Sequence, residues 1–295
     1  MHNIYSFFTK VFVIFFSLLI IFFFFSKNSL FTYEIISTLK LWLNKIVPSL
    51  ITMYVISSAL ISTKAINIII FILKPLRKIL KFETKNAFNL FIVSIFVGNP
   101  STVTYITEYL SKEYITSKDA EVLLLSSSFI NPLFIYAISK NINTFFFIYL
   151  IHIITNIIIA IFFTRKNIII NKENETNVNF LELINKLPFL LLLIALYMVI
   201  SSMLIFALNS LGISKIYLSF IELSNGCNIL INSFSQISYL LLVLLISFNG
   251  FCIHMQVATI LNNQKMYKTF FYGRFLSMII TFIIYFFAIF FLKYT

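Results

Sequence analysis

Long apolar runs separated by brief polar punctuation fill most of the chain. A run of roughly 18 residues or more is long enough to cross a bilayer as a helix, and several segments reach that length. The first span is predicted over about Tyr5–Phe25, closed by Ser26-Lys27-Asn28-Ser29. A second is predicted over about Ile46–Ile61, with Pro48 near its start, where a helix tolerates proline. Residues 64–85 alternate apolar and basic positions and predict an amphipathic helix on the membrane surface. Further spans are expected over Thr144–Thr164, from Pro188 to about Leu208, and over Phe270–Leu292. Lys10 is the one basic residue near the start of this apolar stretch and no small-residue cleavage site follows it, so the span reads as an uncleaved anchor.

Three interruptions fall inside apolar sequence. Residues 86–97 are too short to span alone and stop at Gly98-Asn99-Pro100. A more polar helix is expected from there to about Lys112, a helix start at Thr116-Ser117-Lys118-Asp119, and then an apolar helix running into Asn131-Pro132. Past the polar stretch Arg165–Asn179, the run Ile237–Phe248 meets Asn249-Gly250, and a half-helix continues to about Leu261. The sequon Asn174-Glu175-Thr176 within the polar stretch reads as a chance match in an Asn-rich chain. A helix broken inside a membrane frees backbone groups that lipid cannot satisfy, so such breaks mark protein-lined or wet sites. A simple kink between spans is the plainer alternative.

The order of proline-opened span, break, half-helix and closing span occurs twice. The expectation is therefore an all-α polytopic integral membrane protein with two pseudo-repeats and broken or re-entrant half-helices. Residues 1–45 would form an anchor and connector, 46–164 the first gate-like repeat, 165–185 a linker and 186–295 the second repeat. Gly98-Asn99-Pro100 and Asn249-Gly250 would occupy comparable places in the two.

Composition secures the membrane assignment: hydrophobic residues make up 60% and charged residues 11%, with a mean hydropathy of +0.98. The net charge of +12 does not point to nucleic acid, because the cations flank apolar segments, as at Lys74, Arg77, Lys78, Lys81 and Lys85. That pattern reads as membrane topology with anionic lipid as partner. Cys227 and Cys252 have neither metal-ligand nor disulfide spacing, and no hydrolase, phosphate-loop or zinc signature is present, so neither an enzyme nor a metal or cofactor site is expected.

Candidate chemistry gathers at the breaks. Asn99 can cap the helix that Pro100 opens, and Asn131-Pro132 repeats the device. Free N–H groups at such helix starts suit an anion or a carbonyl. Ser101, Thr104 and Glu108 share one helix face, as do Asn249, Cys252 and Gln256, and polar stripes at membrane depth should face each other or water. Asn99, Ser101, Thr102, Asn131, Asn249, Cys252 and Gln256 are the candidate substrate ligands. Glu108, Glu222 and His254 are candidates for ion or proton coupling. Glu108 and Glu222 could equally pair with Lys or Arg or sit at the interface, His254 could be a packing residue, and His152 reads as structural.

These residues carry a resemblance. The stretch Ser247-Phe248-Asn249-Gly250-Phe251-Cys252-Ile253-His254-Met255-Gln256-Val257, with Tyr267-Lys268 and Gly273-Arg274-Phe275, resembles the C-terminal signature of the YlbJ sporulation integral membrane proteins, within the nucleoside-recognition gate domain group. Gly98-Asn99-Pro100-Ser101, Asn131-Pro132-Leu133-Phe134-Ile135 and Ile221-Glu222-Leu223-Ser224-Asn225-Gly226 are similar to its other motifs, over about 86–292. Two positions depart from its glycine pattern, Thr102 and Asn249. The resemblance implies a role in endospore formation, moving dipicolinic acid or a similar small anion across the outer forespore membrane. A nucleoside-type carrier and a non-transporting scaffold for spore cortex assembly are the alternatives. The partners expected are a small anionic substrate and membrane lipid, and a homo-oligomer is compatible with the pattern.

Overall fold

The computed structural model describes residues 14, 17–18, 20–139, 141–164, 178–233 and 235–294, with side chains described up to 290. The expected first span over 5–25 and the polar stretch 165–177 therefore lie largely outside the described residues. The helices are α1 Asn28–Leu41, a π turn Trp42–Ile46, α2 Val47–Ser62, α3 Ile66–Ile72, α4 Lys74–Ile79, α5 Lys85–Val97, α6 Ser101–Ser111, α7 Ser117–Ser126, α8 Pro132–Ile138 and α9 Ile142–Thr164. They continue as α10 Phe180–Ile184, α11 Leu187–Ser210, α12 Lys215–Leu218, α13 Leu223–Asn232, α14 Gln236–Phe248, α15 Gly250–Leu261 and α16 Gln264–Tyr294. Among the described residues, five helices are long and apolar enough to cross a membrane: Asn28–Ser62, Ile142–Thr164, Phe180–Ser210, Gln236–Leu261 and Gln264–Phe290. The protein is an all-α polytopic membrane protein.

Side-chain caps set where the helices begin. Thr84, Thr116 and Ser235 each accept from the backbone N–H three residues on, supplying partners for donors that every helix start leaves open. The chain expected to form one surface helix over 64–85 instead divides at Leu73, because Pro75 cannot donate to a continuing ladder.

The first helix pair is a hairpin that does not cross. Both of its ends lie together: Asn86 donates to the Tyr114 carbonyl at 3.1 Å, and the backbone N–H groups of Glu83 and Thr84 donate to Asp119 at 2.9 and 2.8 Å. At 1.5 Å per residue α5 and α6 reach roughly 20 and 16 Å, short of the roughly 30 Å hydrocarbon core. The tip, residues 98–100, is thus held at membrane depth. From the same face α7 runs inward beside α16, as the Lys265–Glu121 ion pair at 3.2 Å marks. It unwinds over 127–131 and continues as α8, and α9 returns.

The second half repeats this order in the opposite sense. Its α11 starts at the first face, where Lys186 meets Glu108 of α6 at 2.7 Å, and crosses to the second. There α12 turns inward, the tip 219–222 lies at depth, and α13 returns with Gly226 against the Ser219 carbonyl. The α14–α15 segment crosses antiparallel to α16: Tyr285 donates to the Gln236 carbonyl at 3.0 Å, Ser247 meets Thr281 at 2.6 Å, and His254 lies beside Tyr267. Hairpin, broken helix and closing span thus occur twice with inverted topology, an arrangement recurrent among transporters.

This geometry pairs the interruptions differently from the expectation. The hairpin tip 98–100 corresponds to the tip 219–222, and the unwound 127–131 corresponds to Asn249-Gly250. The sequence pattern missed the second hairpin because α12 is only four residues long, too short to register as a helix of its own. The expected boundary between residues 45 and 46 also falls inside one continuous helix, within the π turn.

Close approach at the centre depends on glycine. A Cβ on Gly273 would lie 2.6 Å from the Leu125 backbone, so α16 meets α7 through bare backbone. The substitution Gly273→Ala is expected to destabilise the protein by about 1–3 kcal/mol, as overpacking of a tight contact does. Thermal unfolding of the purified protein in detergent reads this, and an unchanged midpoint would refute the close contact.

Candidate functional site

Each hairpin tip crosses the unwound part of its neighbouring broken helix. In the first half the Asn99 N–H donates to the Phe129 carbonyl at 2.8 Å. Gly98, at φ 74°, lies so close to the Asn131 backbone that a side chain would overlap it. In the second half the Phe251 and Cys252 N–H groups donate to the Phe220 and Ile221 carbonyls at 2.9 and 2.8 Å. The turn there uses Asn249 at φ 74°, a left-handed conformation Asn tolerates better than most residues, followed by Gly250 at φ 66°. Backbone freed by one break therefore pairs with backbone freed by the other.

The two crossings border a cavity of about 60 Å³. Its lining joins both halves: Asn99 and Pro100 from the first tip, Asn131 from the first broken helix, Glu222 from the second tip, Ser224 from the start of α13, and Cys252 and Gln256 from α15. Ser49 and Leu50 of α2 with Ile194 and Met198 of α11 close the sides. A water needs roughly 10–15 Å³ of such space, so the cavity has room for several.

Buried polar atoms without a protein partner occur in and near this lining. Both side-chain atoms of Asn99, both of Asn249, the Ser101 hydroxyl and Gln256 Oε1 have no protein hydrogen-bond partner. Asn249 is 0% exposed, Ser101 1% and Gln256 2%. A buried polar group left without a partner costs about 1–3 kcal/mol, and three of these atoms, both of Asn99 and Gln256 Oε1, belong to side chains that line the cavity, where water can satisfy them.

Of the candidate ligands, Asn99, Asn131, Cys252 and Gln256 line the cavity. Ser101 and Asn249 are buried and unpartnered but outside its lining. Thr102 instead turns its hydroxyl back to the Gly98 carbonyl at 3.1 Å. Asn99 does not cap α6, since Pro100 is the residue before the first helical position. Asn131 does cap α8, accepting from Leu133 N at 2.8 Å while its amide donates to the Ser49 carbonyl at 2.9 Å. The free N–H groups expected at these helix starts are largely taken by Asn131, by Glu222 and by the carbonyls of 220 and 221.

The coupling candidates separate. Glu222 lines the cavity and caps α13, accepting from Ser224 N and Asn225 N at 2.9 and 2.7 Å. Glu108 lies away from it, paired with Lys112 at 3.1 Å and Lys186 at 2.7 Å, and Lys112 also holds Glu182 at 2.7 Å. These pairs tie α6 to the start of α11. His254 sits among Phe248, Phe270 and Phe271, with Nε2 3.0 Å from the Phe248 carbonyl. His152 accepts from Ile130 N at 3.1 Å and supports the unwound 127–131 segment.

The residue that sequence reasoning passed over is Arg274, 0% exposed. Its Nη2 donates to the Leu125 carbonyl at 2.8 Å and Asn156 Oδ1 at 3.2 Å, and its Nη1 to the carbonyls of Ser128 at 3.3 Å and Ser247 at 3.2 Å. One guanidinium thus binds the carbonyl ends of both broken helices, where backbone dipoles leave partial negative charge. A lone arginine well inside a long apolar helix, beside Gly273, was the available signal.

The chain matches no family model, no curated protein and no solved structure.

Replacing Arg274 by Gln should cost about 1–3 kcal/mol for each buried carbonyl it leaves without a donor. Arg274→Lys should recover only part, because an ammonium lacks the planar fork that reaches both helix ends. Melting of the two variants in detergent checks the order wild type above Lys above Gln, and equal midpoints would overturn it.

Proposed function

We propose that this protein is a membrane carrier for a small polar solute, bound between the crossed breaks. The observation that carries the reading is the central cavity lined by both inverted halves and bordered by buried polar atoms that no protein group satisfies. Inverted halves meeting at broken helices suit alternating access, in which one half moves against the other around a fixed site. The cavity as it stands has room for a few waters, and a larger solute needs more space than its about 60 Å³.

The resemblance to the sporulation proteins nominates dipicolinic acid, moved across the outer forespore membrane, as the first substrate to try. A nucleoside-type solute is the second reading, and the lining favours it on one count. Asn99 and Gln256 offer neutral amides that both donate and accept, whereas the charged group in the lining is the Glu222 carboxylate. A dicarboxylate entering there meets an acidic side chain whose oxygens are already taken by Ser224 N and Asn225 N.

Uptake of labelled dipicolinate and labelled uridine into proteoliposomes separates these readings. Flux of one above protein-free vesicles supports the carrier, and flux of neither, with folded protein, favours the scaffold alternative. For the substrate that moves, Gln256→Ala should lower uptake about twofold to tenfold, the loss of one hydrogen bond of about 0.5–1.5 kcal/mol. Unchanged uptake at equal protein level would remove Gln256 from the site.

A further inference from the structure

A second polar space lies outside the central cavity. It measures about 370 Å³ and is bounded by α1, α11, α12 and α13 on the second face. Asn225, Asn228 and Asn232 face it from α13 at spacings of three and four residues, so they form one stripe. Asn209 faces them from α11, and Lys215 and Glu34 stand at the rim. At 1.5 Å per residue the stripe climbs roughly 10 Å from Asn225 to Asn232, through the half of the membrane between the tip and the second face. Carboxamides turned to lipid over that depth would be costly, so water fits this space better than acyl chains.

Its floor touches the central site. The Asn225 N–H donates to Glu222 Oε2 at 2.7 Å, and the Glu222 side chain lines the central cavity. One turn of backbone therefore separates the two spaces. The first face is built differently. There the Glu108, Lys112 and Lys186 pairs hold α6 to α11, and Tyr54 and Tyr105 stack 5.3 Å apart, both 0% exposed.

We propose that the α13 vestibule is a water-filled access site for small polar solutes, open on the second face and leading to the Glu222 edge of the central cavity. Its carboxamides donate and accept, and its one cation and one carboxylate balance, so it admits neutral and anionic solutes alike. The access role rests on the carrier reading; the wetness and sidedness of the space do not.

Cysteine labelling of the full-length protein in right-side-out and inside-out membrane vesicles tests it. Both native cysteines are buried, so new labelling reports the introduced thiol. Asn228→Cys and Asn232→Cys should react with a charged, membrane-impermeant methanethiosulfonate about tenfold faster than Leu192→Cys, which faces lipid, because the reagent needs water and a thiolate. Both should react from the face opposite to Lys78→Cys on α4. Labelling as slow as Leu192→Cys, or from the face of Lys78→Cys, overturns the proposal. If labelling succeeds while wild-type proteoliposomes move neither dipicolinate nor uridine, the vestibule stands and the carrier reading falls. If the wild type does move one of them, modified Asn228→Cys should lose that uptake, and full uptake after complete modification would overturn the access role.

Discussion

Broken helices in a membrane need partners for the carbonyls they free, and here one guanidinium supplies them. Arg274 reaches Leu125 and Ser128 at the end of α7 and Ser247 at the end of α14. A cation at this depth is costly alone, but backbone carbonyls at two helix ends and the Asn156 amide offset that cost without a carboxylate. The hydroxyls of Thr155, Thr281 and Ser247 join α9, α16 and α14 beside it. With the carbonyl ends held on one side, the starts of the following half-helices are left to face the other. The central cavity lies where those starts meet the hairpin tips.

The same logic explains why the site holds so few free backbone donors. Tip and unwound segment satisfy each other at 99 with 129, and at 251 and 252 with 220 and 221. What remains unsatisfied is side chain: Asn99, Asn249, Ser101 and Gln256. The polar groups this cavity presents are therefore side-chain carboxamides more than free backbone donors, with Glu222 as the acidic residue in its lining.

Much of this was legible in the sequence. Asn99-Pro100, Asn131-Pro132 and Asn249-Gly250 are conformational punctuation, and each does interrupt a helix. Of the seven residues expected to gather, Asn99, Asn131, Cys252 and Gln256 share one cavity, whereas Ser101, Thr102 and Asn249 lie outside its lining. Other features left weaker traces. The second hairpin enters through four helical residues, which hydropathy does not register, so its tip could not be matched to 98–100. Arg274 lies in a long apolar helix that begins with basic residues, where a further cation reads as topology. Glu222 looked like a titratable site, yet two backbone N–H groups already occupy its oxygens. Whether a buried carboxylate caps its own helix depends on a turn that the residue types alone do not specify.

The π turn at Trp42–Ile46 has a geometric consequence. One extra residue in a turn rotates everything after it by roughly 100° relative to an unbroken α-helix. Before the turn, α1 lies along α11; after it, α2 lies along α5 and α10 and lines the cavity with Ser49 and Leu50. A straight helix presents one stripe to one neighbour, whereas this one changes stripe midway and serves as a shared strut for both inverted halves. Those five residues join the stretch packed along α11 to the stretch that lines the cavity.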